Sequence, residues 1–271
     1  MQKEPTEAFL SAAGATIGRD SAAHFELFWR ELMGAENTFK DEHAFRMITG
    51  EQHPLGNFAI LTEPCPESHV EKVVQPLLAL EAPSAVFFMA PPSEAVTGQL
   101  GSMGFVQLDP MPAMAVEIDA LAAAELPPGY ESVRIVDGKA ASDWTDILAM
   151  GYPIPRGLAH IISPESLPTT AAIDADVQFF GVGREGRLVA TSMLYLAGGL
   201  AGVYCVATLP EERGMGLGAH VTAEALRAAG RAGYKVGVLQ SSDAGHSIYL
   251  ALGFADVGEV HMFMRSADTD T

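Results

Sequence analysis

The chain has 271 residues, 48% of them hydrophobic, and a formal charge of −18 at pH 7; it is long for one compact domain and comfortable for two. That charge repels a polyphosphate backbone or an anionic bilayer, and no basic run offsets it, so nucleic-acid and membrane partners are excluded as expectations. Met1-Gln2-Lys3-Glu4-Pro5-Thr6-Glu7 has neither the basic nor the apolar region of an export signal, and Cys65 and Cys205 suggest no disulfide framework, so the expected compartment is a reducing cytoplasm.

In chain order, the first half shows a strand over 85–89, a helix over 93–100, the step Met103-Gly104-Phe105 and a strand over 114–118. An Ala-rich stretch, 121–125, then runs into Leu126-Pro127-Pro128-Gly129, the clearest break in the chain. It divides the sequence into an N-terminal domain, 1–125, and a C-terminal domain, 126–271. A strand over 130–136 and a helix over 140–150 follow; Tyr152-Pro153-Ile154-Pro155 interrupts the helix, which resumes over 158–162.

Beyond residue 176 the signals sharpen. Strands over 177–182, 187–196 and 201–208 are separated by a turn at 183–186 and by Gly198-Gly199, and connections this short make an antiparallel meander. Past Pro210 the period becomes helical, with Leu217, Val221, Ala225 and Ala228 on one face and His220, Glu224, Arg227 and Arg231 on another. Gly233 ends that helix. A strand over 235–239 comes next, then a short helix over 244–252 that Ser242 or Asp243 caps and Gly253 stops, and finally a strand pair around 256 and 261–265. A strand-helix-strand crossover needs a parallel neighbour, so the sheet is mixed but mostly antiparallel.

The two halves end alike. Leu252-Gly253-Phe254 and Met262-Phe263-Met264 echo Met103-Gly104-Phe105 and the strand over 114–118, with Leu100 falling where Tyr249 stands. The echo fits a duplicated domain, or a common way of ending a helix and starting a strand.

Arg213-Gly214-Met215-Gly216-Leu217-Gly218 stands between a strand and a helix. Three alternate glycines leave backbone N–H groups unobstructed, the helix start carries about half a positive charge, and Arg213 adds a full one, so the turn can cradle an anion. Taken alone, such a turn serves close packing equally well. It matches neither a dinucleotide fingerprint nor a P-loop. The eight histidines include no i, i+4 pair and no Cys-x-x-Cys companion, so no metal site is indicated.

The stretch 203–254 resembles the GNAT superfamily of N-acetyltransferases. The features that carry the resemblance are Val206-Ala207-Thr208-Leu209-Pro210-Glu211, then Arg213-Gly214-Met215-Gly216-Leu217-Gly218 in the place of the family's Gln/Arg-x-x-Gly-x-Gly/Ala, then Tyr249-Leu250-Ala251-Leu252-Gly253-Phe254 for Tyr-x-x-x-Gly-Phe. The resemblance implies an α/β fold, a mixed sheet flanked by helices in two tandem domains, the first a degenerate copy without the glycine loop. It implies acetyl-CoA as donor, held in a V-shaped opening between the strand ending at Thr208 and the strand over 235–239. Main-chain groups of Val206 and Thr208 would hold the pantetheine arm, residues Arg213, Gly214, Met215, Gly216, Leu217 and Gly218 the pyrophosphate, and Ser242 would stand where relatives often place Asn. Tyr249 would protonate the leaving thiolate while a backbone N–H near Val206 meets the charge on the carbonyl oxygen. The strand Glu that relatives often use as base is missing from 201–208. Tyr204 and Cys205 there read better as buried strand residues, and His246 is an alternative base or a solvated surface residue.

The expected activity is therefore transfer of an acetyl group from acetyl-CoA to a primary amine, on a small molecule or a peptide, in a ternary complex. The alternative is a non-catalytic acyl-CoA sensor. The acidic surface could draw in a cationic amine or serve solubility alone, and the apolar meander edge offers a surface on which two copies could pair.

Overall fold

The computed structural model describes residues 6–33, 36–62, 65–136, 138–169, 172 and 175–267; residues 1–5, part of the N-terminal stretch read for an export signal, and Pro64 lie outside them. The first half runs α1 (Thr6–Leu32), β1 (Thr38–Lys40), β2 (Ala44–Ile48), β3 (Asn57–Leu61), α2 (Glu67–Leu78), β4 (Ser84–Phe88), α3 (Glu94–Ser102), β5 (Val106–Gln107) and β6 (Met111–Glu117). The second runs β7 (Tyr130–Ile135), α4 (Gly138–Gly151), α5 (Arg156–Ile161), β8 (Val177–Arg184), β9 (Arg187–Ala197), β10 (Leu200–Thr208), α6 (Leu217–Arg231), β11 (Val236–Gln240), α7 (Asp243–Leu252) and β12 (Ala255–Arg265).

Local chemistry sets the meander. Glu185 and Gly186 (φ 51° and 74°) join β8 to β9, and Gly198 and Gly199 (φ 56° and 78°) join β9 to β10. Positive φ at both central residues is the two-residue turn whose twist matches a hairpin. The first turn is shorter than the 183–186 expected, because Gly183 and Arg184 still pair with β9. Strands β3, β4 and β8 are buried along nearly their whole length, since helices cover both faces, which explains continuous apolar runs in place of alternation.

One sheet runs through the molecule in the order β1-β2-β3-β4-β12-β6-β11-β10-β9-β8-β7, with β5 paired to β12. Each half contributes an antiparallel run and one parallel pair, β3 with β4 and β10 with β11. The last strands are exchanged: β6 lies against β11 of the second half, and β12 reaches β4 of the first. The expected pair of strands near 256 and 261–265 is instead the single strand β12. Residues 255–260 pair with β6 and 261–265 with β4, so partners on both stretches hold the chain extended through an irregularity at Asp256 to Gly258.

Core residues divide between the faces. Phe179, Met193, Trp144 and Phe28 belong to one cluster, which gathers α1, α4 and α5; Phe180, Leu194, Leu226 and Leu252 belong to another, under α6 and α7. Helix α1 crosses the exchanged strands, where a Cβ on Gly18 would stand 1.9 Å from the Val257 carbonyl oxygen.

Farther along α1, His24 is 1% exposed and its Nδ1 lies 2.8 Å from the Tyr204 hydroxyl. Burial pushes its pKa down to about 4, only partly offset by the Leu200 carbonyl. Between about 4 and 6.5 the unfolded chain binds a proton there that the folded chain refuses, so the stability due to neutral His24 is complete above pH 6.5 and lost on acidification toward 4. The size is about 3 kcal/mol over that window. Denaturant titrations at pH 7 and 4.5 should show the loss in the native protein and a smaller one in His24→Asn; equal slopes would refute the assignment.

Candidate active site

Strands β10 and β11 pair in parallel over only Ala201↔Gly237 and Gly202↔Val238. Beyond that rung β10 keeps β9 as far as Thr208, while β11 keeps β6 as far as Gln240, so their facing edges separate into an opening. An irregularity between Tyr204 and Ala207 bends β10 there, with Cys205 at φ 54°, a bulge that re-aims neighbouring backbone groups. Leu209 N–H donates to Val189 O on the β9 side. By the two-residue alternation of a strand, Val206 and Thr208 direct main-chain groups toward the open side. In the first half, β3 and β4 stay paired over four rungs, Phe58↔Ala85 to Leu61↔Phe88, and Leu100 is fully buried. Among the described residues that half shows no matching separation of its parallel strands.

The glycine loop meets the opening at its wide end. Gly214 and Gly216 have φ of 80° and 77°, and a Cβ on either would meet nothing within 4 Å. Leu217 is 1% exposed and pins the turn to the core, while Met215 points outward. Gly216 caps α6 without a side-chain bond, and among the described residues no backbone carbonyl outside the helix is paired with the N–H groups of residues 216–219. A Cβ on Gly218 would lie 3.8 Å from Val206 and 3.9 Å from Thr208, so loop and strand edge are contiguous. Exposed Arg213 donates from Nε to Thr208 O at 3.3 Å. The two carboxylates before it are engaged elsewhere: Glu212 accepts from the Tyr130 hydroxyl (2.5 Å) and Arg184, and Glu211 from Arg187. Open amides, one free-ended guanidinium and preoccupied carboxylates make a place for an anion.

Tyr249, 9% exposed, enters from α7. Burial pushes its hydroxyl up to about 12, and the nearby Thr222 hydroxyl pulls the other way; Thr222 donates to Gly218 O at 2.9 Å. Gly245 makes room for the ring: a Cβ there would lie 2.9 Å from Tyr249 Cε2 and 3.5 Å from Ser242 Oγ. The fold thus gathers Tyr249, Ser242, Gly218, Val206 and Thr208 round one opening. Ser242 is exposed at the N-cap of α7 and makes no capping bond with its side chain.

His246 is turned to Asp256, 2.8 Å away on β12. Cys205 is buried, its thiol pushed up to about 12 by desolvation, and Tyr204 is engaged by His24. His220, expected on the polar face of its helix, is buried instead, with Nδ1 donating to Ala124 O (2.8 Å) and Nε2 facing Ser132 Oγ (2.7 Å); the segment after β6 covers that face. Sequence reasoning missed Tyr152 and Gly245. Tyr152 directly follows α4, and burial raises its phenol well above the ordinary value. Its one sequence signal was its place in the helix-interrupting Tyr-Pro-Ile-Pro.

Residues 143–254 match the model of the acetyltransferase (GNAT) family. No curated protein matches the chain. Among solved structures, a GCN5-related N-acetyltransferase from Kribbella flavida is similar with a TM-score of 0.66 at 20% identity, over 93% of this chain and 96% of that one. Another from Sphaerobacter thermophilus gives 0.60 at 14%, over 94% and 90%. A tandem GNAT protein from the clavulanic acid biosynthesis pathway gives 0.54 at 11%, over 88% and 86%. At such identities the likeness is one of fold, and it extends over both halves.

Proposed function

We propose that this chain, whose residues 143–254 match the model of the acetyltransferase (GNAT) family, is an N-acetyltransferase that moves an acetyl group from acetyl-CoA to a primary amine in a ternary complex. The observation that carries the reading is the row of open amides at the start of α6, contiguous with the opening between β10 and β11. Acetyl-CoA, when bound, supplies the activated acyl thioester.

The residues present fit that donor. The N–H groups from Gly214 to Gly218, with Arg213, hold the pyrophosphate, and main-chain groups of Val206 and Thr208 the pantetheine arm. The Ser242 hydroxyl reaches the same arm. Val206 N–H lies at the bulge, where it meets negative charge building on the carbonyl oxygen. As the amine's nitrogen bonds to the acyl carbon and the carbon–sulfur bond breaks, Tyr249 gives its proton to the sulfur and recovers one from solvent. Strand β10 carries no carboxylate, so the amine arrives as free base or loses its proton to water. The division into copies at 1–125 and 126–271 belongs to this reading, supported by the parallel pair in each half and the reciprocal exchange of β6 and β12. The first copy, without loop or opening, buttresses the second.

Free-thiol release against a panel of amines, run beside a CoA titration, tests the activity. Acceptor-dependent release supports it; tight binding with no acceptor-dependent release across the panel favours the sensor. Arg213→Ala should weaken CoA binding by about 1–3 kcal/mol. Calorimetry finding equal affinities would remove Arg213 from the pyrophosphate site.

A further inference from the structure

Helix α1 belongs to the first half, yet it spans the gap at which β10 and β11 of the second half part. The last rung those strands share is Gly202↔Val238. Val238 packs with Ile17 of α1, whereas Leu239 belongs to the core under α6 and α7, so two-residue alternation returns Gln240 to the α1 face. There its Nε2 donates to Ser21 O at 3.1 Å. Across the gap Tyr204 is on the same face, its hydroxyl 2.8 Å from His24 Nδ1. One turn of α1 thus reaches both strands, from Ser21 to β11 and from His24 to β10.

The contact with β11 is only half satisfied. Ser21 is 0% exposed, and its Oγ and Gln240 Oε1 are both buried with no hydrogen-bond partner among the described residues. A buried oxygen left unpaired is destabilising, and an apolar side chain at either position would avoid the loss. Tyr249 enters the gap from the core under α6 and α7. An acceptor that reaches the thioester is therefore left the other face, the one α1 spans.

We propose that Ser21 Oγ and Gln240 Oε1 receive the two N–H groups of the acceptor's primary amine, so that the first half contributes a wall of the acceptor site as well as supporting the second. With both N–H groups held, the nitrogen lone pair is free for the acyl carbon. Both oxygens are neutral, and β10 adds no carboxylate, so the seat suits the uncharged amine and gives an ammonium no counter-charge. This inference rests on the transferase reading above.

Ser21→Ala removes the hydroxyl and keeps the carbonyl that holds Gln240. It should lower kcat/KM for the best acceptor of the amine panel about fivefold, the value of one net hydrogen bond, mainly through KM. Acetyl-CoA affinity by calorimetry should stay within about twofold, and the melting temperature should hold or rise, because the deleted oxygen bonds to no protein group. An unchanged acceptor kcat/KM overturns the proposal. So does an equal fall in acetyl-CoA affinity, or a lower melting temperature, since either gives the hydroxyl a structural role. Absence of acceptor-dependent thiol release from the native protein is a separate result: it removes the transferase reading itself, and this inference with it.

Discussion

Tyr249→Phe is expected to lower turnover about 10²- to 10⁴-fold, the range for a positioned proton donor, while CoA affinity stays within about twofold. The substitution removes only the hydroxyl. The ring keeps its edge contact with Phe254 at 5.7 Å and its place over Gly245, so neither the fold nor the pyrophosphate cradle changes. With burial pushing the phenol up to about 12, complete transfer to a free thiolate of ordinary basicity, near 8.5, is uphill by roughly 5 kcal/mol. The proton must therefore move as the carbon–sulfur bond breaks, and its value lies in where the phenol is held. The same elevation keeps Tyr249 protonated through the neutral and mildly alkaline range, so activity should climb with pH as the acceptor amine loses its proton, with no decline from Tyr249 until about pH 12. Saturation kinetics and calorimetry on the two proteins separate the effects. Turnover within about threefold of the native value would remove Tyr249 as the donor.

What could be read without coordinates was what the backbone demands locally. Gly198-Gly199 requires a tight hairpin, Gly214 and Gly216 require left-handed φ before a helix, and Gly253 ends α7 at φ 99°; each is visible within a few residues. Those demands fixed the order of β8 to α7 and pointed to the loop. The exchange of β6 and β12 was not legible, because either strand has the same apolar pattern whichever half it joins. Helix α1 escaped because Gly14, Gly18 and Ser21 break the apolar stripe, and small residues at 18 and 21 matter only once β12 and Gln240 are seen beneath them. His220 was misplaced for a related reason. Its helix face is polar by composition, but the linker at Ala124 and Ser132 on β7 supply partners that let a polar side chain be buried.

Gly202→Ala should cost about 3 kcal/mol of stability, more than most single substitutions. Gly202 is on the last rung joining β10 to β11, and a Cβ there would lie 2.3 Å from His24 Cε1, 2.6 Å from His24 Nδ1 and 2.6 Å from Tyr204 Cε2. None of these atoms can withdraw freely. The two rings are stacked at an interplanar angle of 8°, Tyr204 is stacked on Phe28 at 4.3 Å, and His24 is 1% exposed on a helix packed across the strand exchange. Relief requires lifting α1 from β10, which breaks the 2.8 Å bond between His24 and Tyr204 and parts the two halves along their shared core. For a chain of this size the loss corresponds to a fall in melting temperature of roughly 6–12 °C. The disturbance also reaches the site, because Tyr204 adjoins the bulge that aims Val206 N–H, so acetyl-CoA affinity should fall along with stability. A double-mutant cycle with His24→Ala tests the mechanism: the alanine at 24 vacates the space, and the pair should cost less than the sum of the single changes. Additive losses, or a melting temperature for Gly202→Ala within a degree or two of the native protein, would show that α1 does not bear on β10 through this contact.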